Sequence, residues 1–171
     1  MINKIIKYVL IVLFLAWSVY QFVIGNIGNG ILFVLLAGVV VLFLFRHELI
    51  LLAFLHVRRG KFDKAEKTLL KIKHPDQLMK SQEAYYYYLM GMIEAQTRGA
   101  TKSERYFRKA LSLGLRMKTD QAVAKLNLAG IAVMKRKKRE AINLLAEVKK
   151  LDTRNLLDDQ VKMIKGQMKR I

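Results

Sequence analysis

The sequence predicts an all-α protein with three parts: an N-terminal transmembrane helical hairpin, an α-solenoid of helix pairs, and a C-terminal capping helix. Three observations predict it. The chain of 171 residues has one proline, Pro75, which is typical of a largely helical chain. Two apolar runs fill the first 45 residues, and small or apolar residues then recur every 38 residues. The predicted boundaries are 1–45, 46–153 and 154–171.

Both runs of the first part have the length that spans a bilayer. Residues 5–24 are apolar apart from Lys7, Ser18 and Gln21, and residues 27–45 carry no charge. About 20 apolar residues cross the hydrocarbon core, so two transmembrane helices are predicted. A signal peptide is the alternative, but the first run is long for one and a second run follows at once.

The linker between the runs, from Gly25 to Gly30, is rich in glycine and asparagine, which favours a tight turn and an antiparallel hairpin. Basic residues flank the outer ends, with Lys4 and Lys7 at one end and Arg46 at the other. Such residues mark the cytoplasmic side of a membrane. The sequence therefore predicts an integral inner or plasma membrane protein of bacterial type, with both termini and the repeat domain cytoplasmic.

Four columns of residues hold one 38-residue register across three copies in the second part. Two columns contain small residues, one contains large apolar residues, and the fourth is apolar. They are Ala53, Gly91, Ala129; Ala65, Ser103, Ala141; Leu69, Phe107, Leu145; and Ile72, Ala110, Val148. A period of this length predicts about three stacked helix pairs, each burying its apolar face against the next.

Glycines and polar residues predict where these helices begin and end. Breaks within the pairs fall at Gly60, at Gly99 and at a basic run that ends at Arg139. Polar side chains nearby can satisfy the free amide groups of a first turn. The predicted caps are Asp63 with Glu66, Thr101 with Glu104, Asp120 at a helix start and Gly114 at a helix end.

The helix pairs resemble the tetratricopeptide repeat, whose units of about 34 residues carry small, small, large and small columns in this order. Units at 46–83, 84–121 and 122–153 place the four columns of this chain in those positions. The longer unit of 38 residues and the lack of a first-helix tryptophan depart from the family. The resemblance implies a scaffold for protein–protein interaction.

The resemblance also implies a groove lined by the first helix of each pair. The corresponding residues are apolar or aromatic: Ile50, Phe54, Val57, Tyr85, Tyr88, Met92, Val123, Leu126 and Val133. Such a groove suits an amphipathic helix of a partner. The chain's own C-terminal helix and a second copy of the protein are the other possible occupants.

The tyrosine run 85–88 cannot share one helix face, because neighbours differ by about 100°. Tyr87 is predicted to face the core, Tyr85 and Tyr88 the groove, and Tyr86 the surface or the membrane. Aromatic residues interleaved with basic ones also suit single-stranded nucleic acid.

Charge favours acidic partners. The net charge is +18, and from residue 46 onward 29 Lys and Arg oppose 13 Asp and Glu, which gives +16. The densest run, Lys135, Arg136, Lys137, Lys138 and Arg139, is predicted to bind an acidic partner or anionic lipid. A solvated turn is the alternative.

A stripe at helical spacing predicts the C-terminal helix: Leu157, Val161, Ile164, Met168 and Ile171. A cap on the last pair is favoured over a tail that binds a partner.

No catalytic, cofactor or metal site is predicted. The chain has no cysteine, and His47, His56 and His74 are scattered without metal-ligand spacing. The predicted function is a membrane-anchored cytoplasmic scaffold for protein–protein interaction. The alternatives are a membrane-surface binder of nucleic acid or anionic lipid, and a purely structural subunit.

Overall fold

The computed structural model describes residues 4–45, 48–97 and 99–169. These residues form nine α-helices and one 3-10 turn and contain no strand, which confirms the predicted all-α class. The helices are α1 Lys4–Val23, α2 Ile27–Phe45, α3 Glu48–Arg58, α4 Phe62–Leu69, α5 Lys80–Thr97, α6 Ala100–Ser112, α7 Lys118–Met134, α8 Lys138–Leu151 and α9 Asp158–Met168. The chain divides into two units between Leu51 and Leu52. Arg46, His47 and Ile171, used in the sequence predictions, lie outside the described residues.

In the first unit, α1 and α2 pack against each other as a helical hairpin. Gly25 forms the turn with φ +81°, a left-handed conformation that glycine adopts without strain. The buried Ser18 Oγ donates to the Gly30 carbonyl oxygen at 2.8 Å. A Cβ at Gly30 would lie 2.9 Å from the ring of Phe22. Small and weakly polar residues therefore allow the close contact of these two helices.

The transmembrane interpretation of this hairpin is wrong. Crossing the hydrocarbon core requires about 20 consecutive, predominantly apolar residues in one helix. Within the described ranges, no helix meets the combined requirement of length and apolar character. This finding corrects the predicted membrane spans, the membrane as a partner, and the integral inner or plasma membrane location with cytoplasmic termini and repeat domain.

In the second unit, the four sequence columns form the core. All twelve column residues are buried. α5 packs on α6 and α7 on α8, while α4 contacts α5 and α6 contacts α7. The 38-residue period therefore marks positions that are buried in the core of this unit.

The second pair shows why its first-helix column needs a small residue. A Cβ at Gly91 would lie 2.9 Å from the ring of Phe107, which is fully buried. Ser103 Oγ donates to the Gly91 carbonyl oxygen at 3.1 Å. The absence of a side chain at Gly91 therefore makes room for the Phe107 ring between α5 and α6.

The turns within the pairs repeat with the same period. The amides of Lys61, Gly99 and Lys137 each donate to the carbonyl oxygen five residues earlier, at 2.9, 2.9 and 2.8 Å. The Schellman motif ends a helix with a residue in the left-handed conformation and contains two hydrogen bonds. The bond observed here is the one that spans more residues. The left-handed residue is Gly60 in the first pair (φ +68°) and Arg136 in the third (φ +57°).

The predicted N-terminal caps are wrong, whereas Gly114 ends α6 as predicted, with φ +86°. Asp63, Thr101 and Asp120 lie inside the first turns of α4, α6 and α7, and none of these helix starts has a side-chain cap. The Schellman turn leads directly into the next helix in the first pair. The first bond of α4 runs from the Ala65 amide to the Lys61 carbonyl oxygen at 3.0 Å.

Candidate functional site

The nine predicted groove residues divide into two sets. Four are buried: Ile50, Tyr88, Leu126 and Val133. Five are half-buried and keep part of their surface accessible: Phe54, Val57, Tyr85, Met92 and Val123. The structure therefore leaves only part of the predicted groove open to a ligand.

The C-terminal helix accounts for the burial on α7. Leu126 and Val133 share one buried cluster with Val161 and Ile164 of α9. Ile164 Cδ1 lies 3.8 Å from the position that a Cβ at Gly130 would take. α9 thus packs against the first helix of the last pair, in agreement with the predicted capping helix.

α9 begins later than the sequence predicted, at Asp158. Asn155 adopts a left-handed φ of +54°, which interrupts the helix. The Leu157 amide donates to Asp152 Oδ2 at 2.7 Å. The carboxylate of Asp152 therefore satisfies an amide next to the start of α9 and fixes the turn between α8 and α9.

Tyr85 joins neighbouring helix pairs. Its hydroxyl donates to Asp120 Oδ2 at 2.7 Å, which connects α5 to the first turn of α7. The rings of Tyr85 and Tyr88 meet edge to face, with centroids 6.2 Å apart. Burial, followed by the charge of Asp120, raises the pKa of Tyr88 well above its usual range. Tyr88 therefore stays neutral beside this hydrogen bond.

The predicted orientations of Tyr86 and Tyr87 are reversed in the structure. Tyr86 is buried, with 7% of its surface exposed, whereas Tyr87 is half-buried. The Tyr87 ring stacks on Tyr106 of α6, with centroids 6.0 Å apart and an interplanar angle of 25°. The Tyr87–Tyr106 contact joins two helices, so the sequence pattern of α5 alone does not reveal it.

Tyr86 and Tyr87 line a cleft of about 450 Å³ between α5 and α6 that the sequence did not predict. Its lining consists of three tyrosines, two cations and one proline: Tyr86, Tyr87, Tyr106, Arg105, Lys109 and Pro75. Tyr86 and Tyr87 lie on α5, and the other aromatic and basic residues lie on α6, about 20 residues later in the sequence. Only the packing of α5 on α6 brings them together.

Both cations of the cleft contact aromatic rings. Lys109 Nζ lies 4.0 Å from the Tyr87 ring centroid and donates to its hydroxyl oxygen at 2.8 Å. That hydrogen bond is the main reason that the pKa of Lys109 is raised, so the amine is charged at neutral pH. Arg105 Cζ lies 5.7 Å from the Tyr106 centroid. Glu83 Oε1, 3.5 Å from Lys109 Nζ, is the acidic neighbour of the cleft.

The basic run is partly neutralised by the protein itself. Lys135 Nζ lies 2.5 Å from Glu104 Oε2, and Lys137 Nζ lies 3.8 Å from Glu140 Oε2. Arg108 bridges the two carboxylates, at 2.9 Å from Glu104 and 2.5 Å from Glu140. We call these five residues the inter-pair charge network. Hydrogen bonds from Lys135 and Arg108 lower the pKa of Glu104.

The rest of the run, Arg136, Lys138 and Arg139, is exposed to solvent. Lys138 and Arg139 line an open depression on α8 that also contains Glu147. Binding of an acidic partner or anionic lipid by the run stays a prediction. Within the described ranges, no group of three His, Cys, Asp or Glu side chains could hold a metal ion.

Comparison with known proteins gives a distant relative. No family model matches the chain, and no solved structure matches it. The chain is 34% identical over 106 residues to the "Uncharacterized protein ycf37" of Cyanophora paradoxa. The match covers 62% of this chain and 59% of that protein, which is less than two thirds of its length.

Proposed function

We propose that the second unit is a scaffold of the tetratricopeptide-repeat type that binds an amphipathic helix of a partner protein and catalyses no reaction. The observation that carries the proposal is α9. This amphipathic helix packs on the first helix of the last pair, and Val161 and Ile164, three residues apart, enter its buried cluster. The chain thus contains an example of the ligand that a first helix of these pairs accommodates.

The half-buried residues of the earlier pairs supply the apolar surface for a second helix. Phe54 and Val57 belong to α3, and Tyr85 and Met92 to α5. They are partly accessible. In the 38-residue period, Phe54 and Met92 correspond to Gly130 and Val57 to Val133, two positions of α7 that lie near α9. A partner helix needs apolar side chains three or four residues apart to fill such a surface.

Charge determines the rest of the partner's chemistry. The chain carries +18 in total, and +16 of this lies from residue 46 onward. A positive field attracts an acidic partner and increases the rate of association more than the final affinity. We therefore expect the apolar stripe of the partner helix to be flanked by aspartate and glutamate, and the association rate to fall as salt is added.

Site-specific photocrosslinking tests the proposal. A benzoylphenylalanine replaces Met92 in the groove of the full chain, and a second variant carries it at Met163 on the exposed side of α9, where 59% of the residue is accessible. The two sites match in residue type and differ in location. We expect a discrete crosslinked partner at position 92 and none at position 163, and proteolytic mapping should place the crosslink in an acidic amphipathic helix.

Two results would contradict the proposal. If position 92 crosslinks only to a second copy of this chain, the surface serves self-association. If both positions give the same products, the groove has no selectivity, and the proposed binding surface is wrong.

A further inference from the structure

The cleft between α5 and α6 lies outside the proposed groove and has a different chemistry. The groove is apolar, whereas the cleft combines phenol rings with two exposed cations, Arg105 and Lys109. The rings of Tyr87 and Tyr106 stack on each other, and we call this stacked pair the platform, because a further ring can stack on its outer face. Its volume of about 450 Å³ falls in the range of small-ligand sites.

We propose that this cleft binds nucleotide units of single-stranded nucleic acid, with a base stacked on the Tyr106–Tyr87 platform and the phosphate held by Lys109 and Arg105. Every base has a flat π face, so tyrosine platforms beside basic residues bind single strands with little sequence preference. The proposal is independent of the helix-binding groove.

The positions of the cations fit this ligand. Lys109 Nζ is held 2.8 Å from the Tyr87 hydroxyl oxygen, so a positive charge stands at the edge of the platform. Arg105 is exposed and lies 5.7 Å from the Tyr106 centroid. A guanidinium in that position can leave the ring and contact a phosphate, and a base can take its place on the ring.

An acidic peptide fits the cleft less well. Its carboxylates could contact Lys109 and Arg105, but they would leave the stacked tyrosine rings without a flat partner. The flat stacking surface therefore favours a nucleobase. The +16 charge from residue 46 onward adds attraction for the phosphate backbone that does not depend on sequence.

Fluorescence anisotropy with the full chain and a labelled oligothymidylate of about twelve nucleotides tests the proposal. Tyr106→Ala removes the platform and should weaken binding about 5- to 100-fold. Tyr106→Phe keeps the ring and should bind within about twofold of the unchanged protein. Thermal unfolding of each variant checks that the fold is intact, and the Phe variant keeps the comparison valid if the Ala variant is unstable.

A charge-matched pair of variants separates the cleft from general attraction. Arg105→Gln with Lys109→Gln removes two charges at the cleft, and Lys138→Gln with Arg139→Gln removes two from the basic run. The cleft pair should weaken binding at least about tenfold more than the run pair. Equal losses mean diffuse electrostatic binding and overturn the proposal, as does a normal affinity in Tyr106→Ala.

A competition experiment distinguishes the nucleotide from an acidic peptide. Free thymidine monophosphate should displace the labelled strand, whereas a glutamate peptide of the same net charge as the oligonucleotide should not. If the peptide competes as well as an unlabelled oligonucleotide, the cleft recognises negative charge alone, and the assignment to nucleotides is wrong.

Discussion

The second and third helix pairs fill equivalent core positions with different residues. The second pair sets Gly91 against Phe107, whereas the third has Ala129 and Leu145 at the corresponding positions. All four residues are buried. In both pairs a smaller residue faces a larger one, so the combined side-chain volume is similar although the residues differ. This is expected where close packing constrains the fold.

The two pairs also differ outside their cores. α9 covers the third pair with an aliphatic cluster, whereas the second pair presents a cleft lined by tyrosines and cations. The last pair is therefore covered by the chain itself, whereas the middle pair leaves a cleft lined by tyrosines and cations. Four predictions test this comparison.

The largest effect is expected from truncating the large core residue in each pair. Phe107→Ala should lower the free energy of unfolding by about 3–5 kcal/mol, because it removes a fully buried ring and leaves a cavity. Leu145→Ala should cost about 2–5 kcal/mol at the equivalent position. Urea unfolding followed by circular dichroism measures both, and a loss below about 1 kcal/mol in either would show that the pair is not cooperatively packed.

The second prediction converts one pair into the other. Gly91→Ala alone places a methyl group 2.9 Å from the Phe107 ring. Overpacking of this kind costs about 1–3 kcal/mol, and the better helix propensity of alanine offsets about 1 kcal/mol of it. In a Phe107→Leu background the same change recreates the third pair and should be neutral or stabilising. If the cost of Gly91→Ala is the same in both backgrounds, the idea of a shared volume fails.

The third prediction concerns the turns. Arg136 has φ +57° at the position where the first pair has Gly60. A non-glycine residue in this region is strained by about 1–2 kcal/mol, so Arg136→Gly should stabilise the protein by about 1 kcal/mol. Arg136→Ala removes the same charge without relieving the strain and serves as the control. Equal thermal stabilisation by both variants would assign the gain to charge rather than to backbone conformation.

The smallest effect is expected from the inter-pair charge network. The pKa of Glu104 is lowered in the folded state. The ionised carboxylate therefore stabilises the fold above the ordinary pKa of glutamate, and this stabilisation is lost as the pH falls through the pKa in the folded state. Glu104→Gln should therefore cost about 1 kcal/mol or less near neutral pH, since Arg108 is exposed and solvent screens the pairs. The difference from the unchanged protein should vanish in acid and shrink in high salt. A difference that persists in acid would contradict the electrostatic explanation.

Part of the candidate sites could be predicted from the sequence. The groove residues Phe54 and Met92 were named through the resemblance to the tetratricopeptide repeat, and the structure leaves both half-buried. The α5–α6 cleft could not be predicted, since Tyr87, Tyr106 and Lys109 meet only when two helices pack in one particular rotation. The inter-pair charge network was missed because Glu104 and Lys135 lie far apart in sequence.

By itself the sequence determined the all-α class, the twelve core residues and the turns at Gly60, Gly99 and Gly114. These features depend on side-chain volume, helical periodicity and backbone freedom, which are local properties of the chain. Only the tertiary structure decided which tyrosines are buried, where the helices begin, and that α9 covers α7. Each of these depends on contacts between segments that are distant in the sequence. The energies of such contacts cannot be read from the sequence of one helix alone.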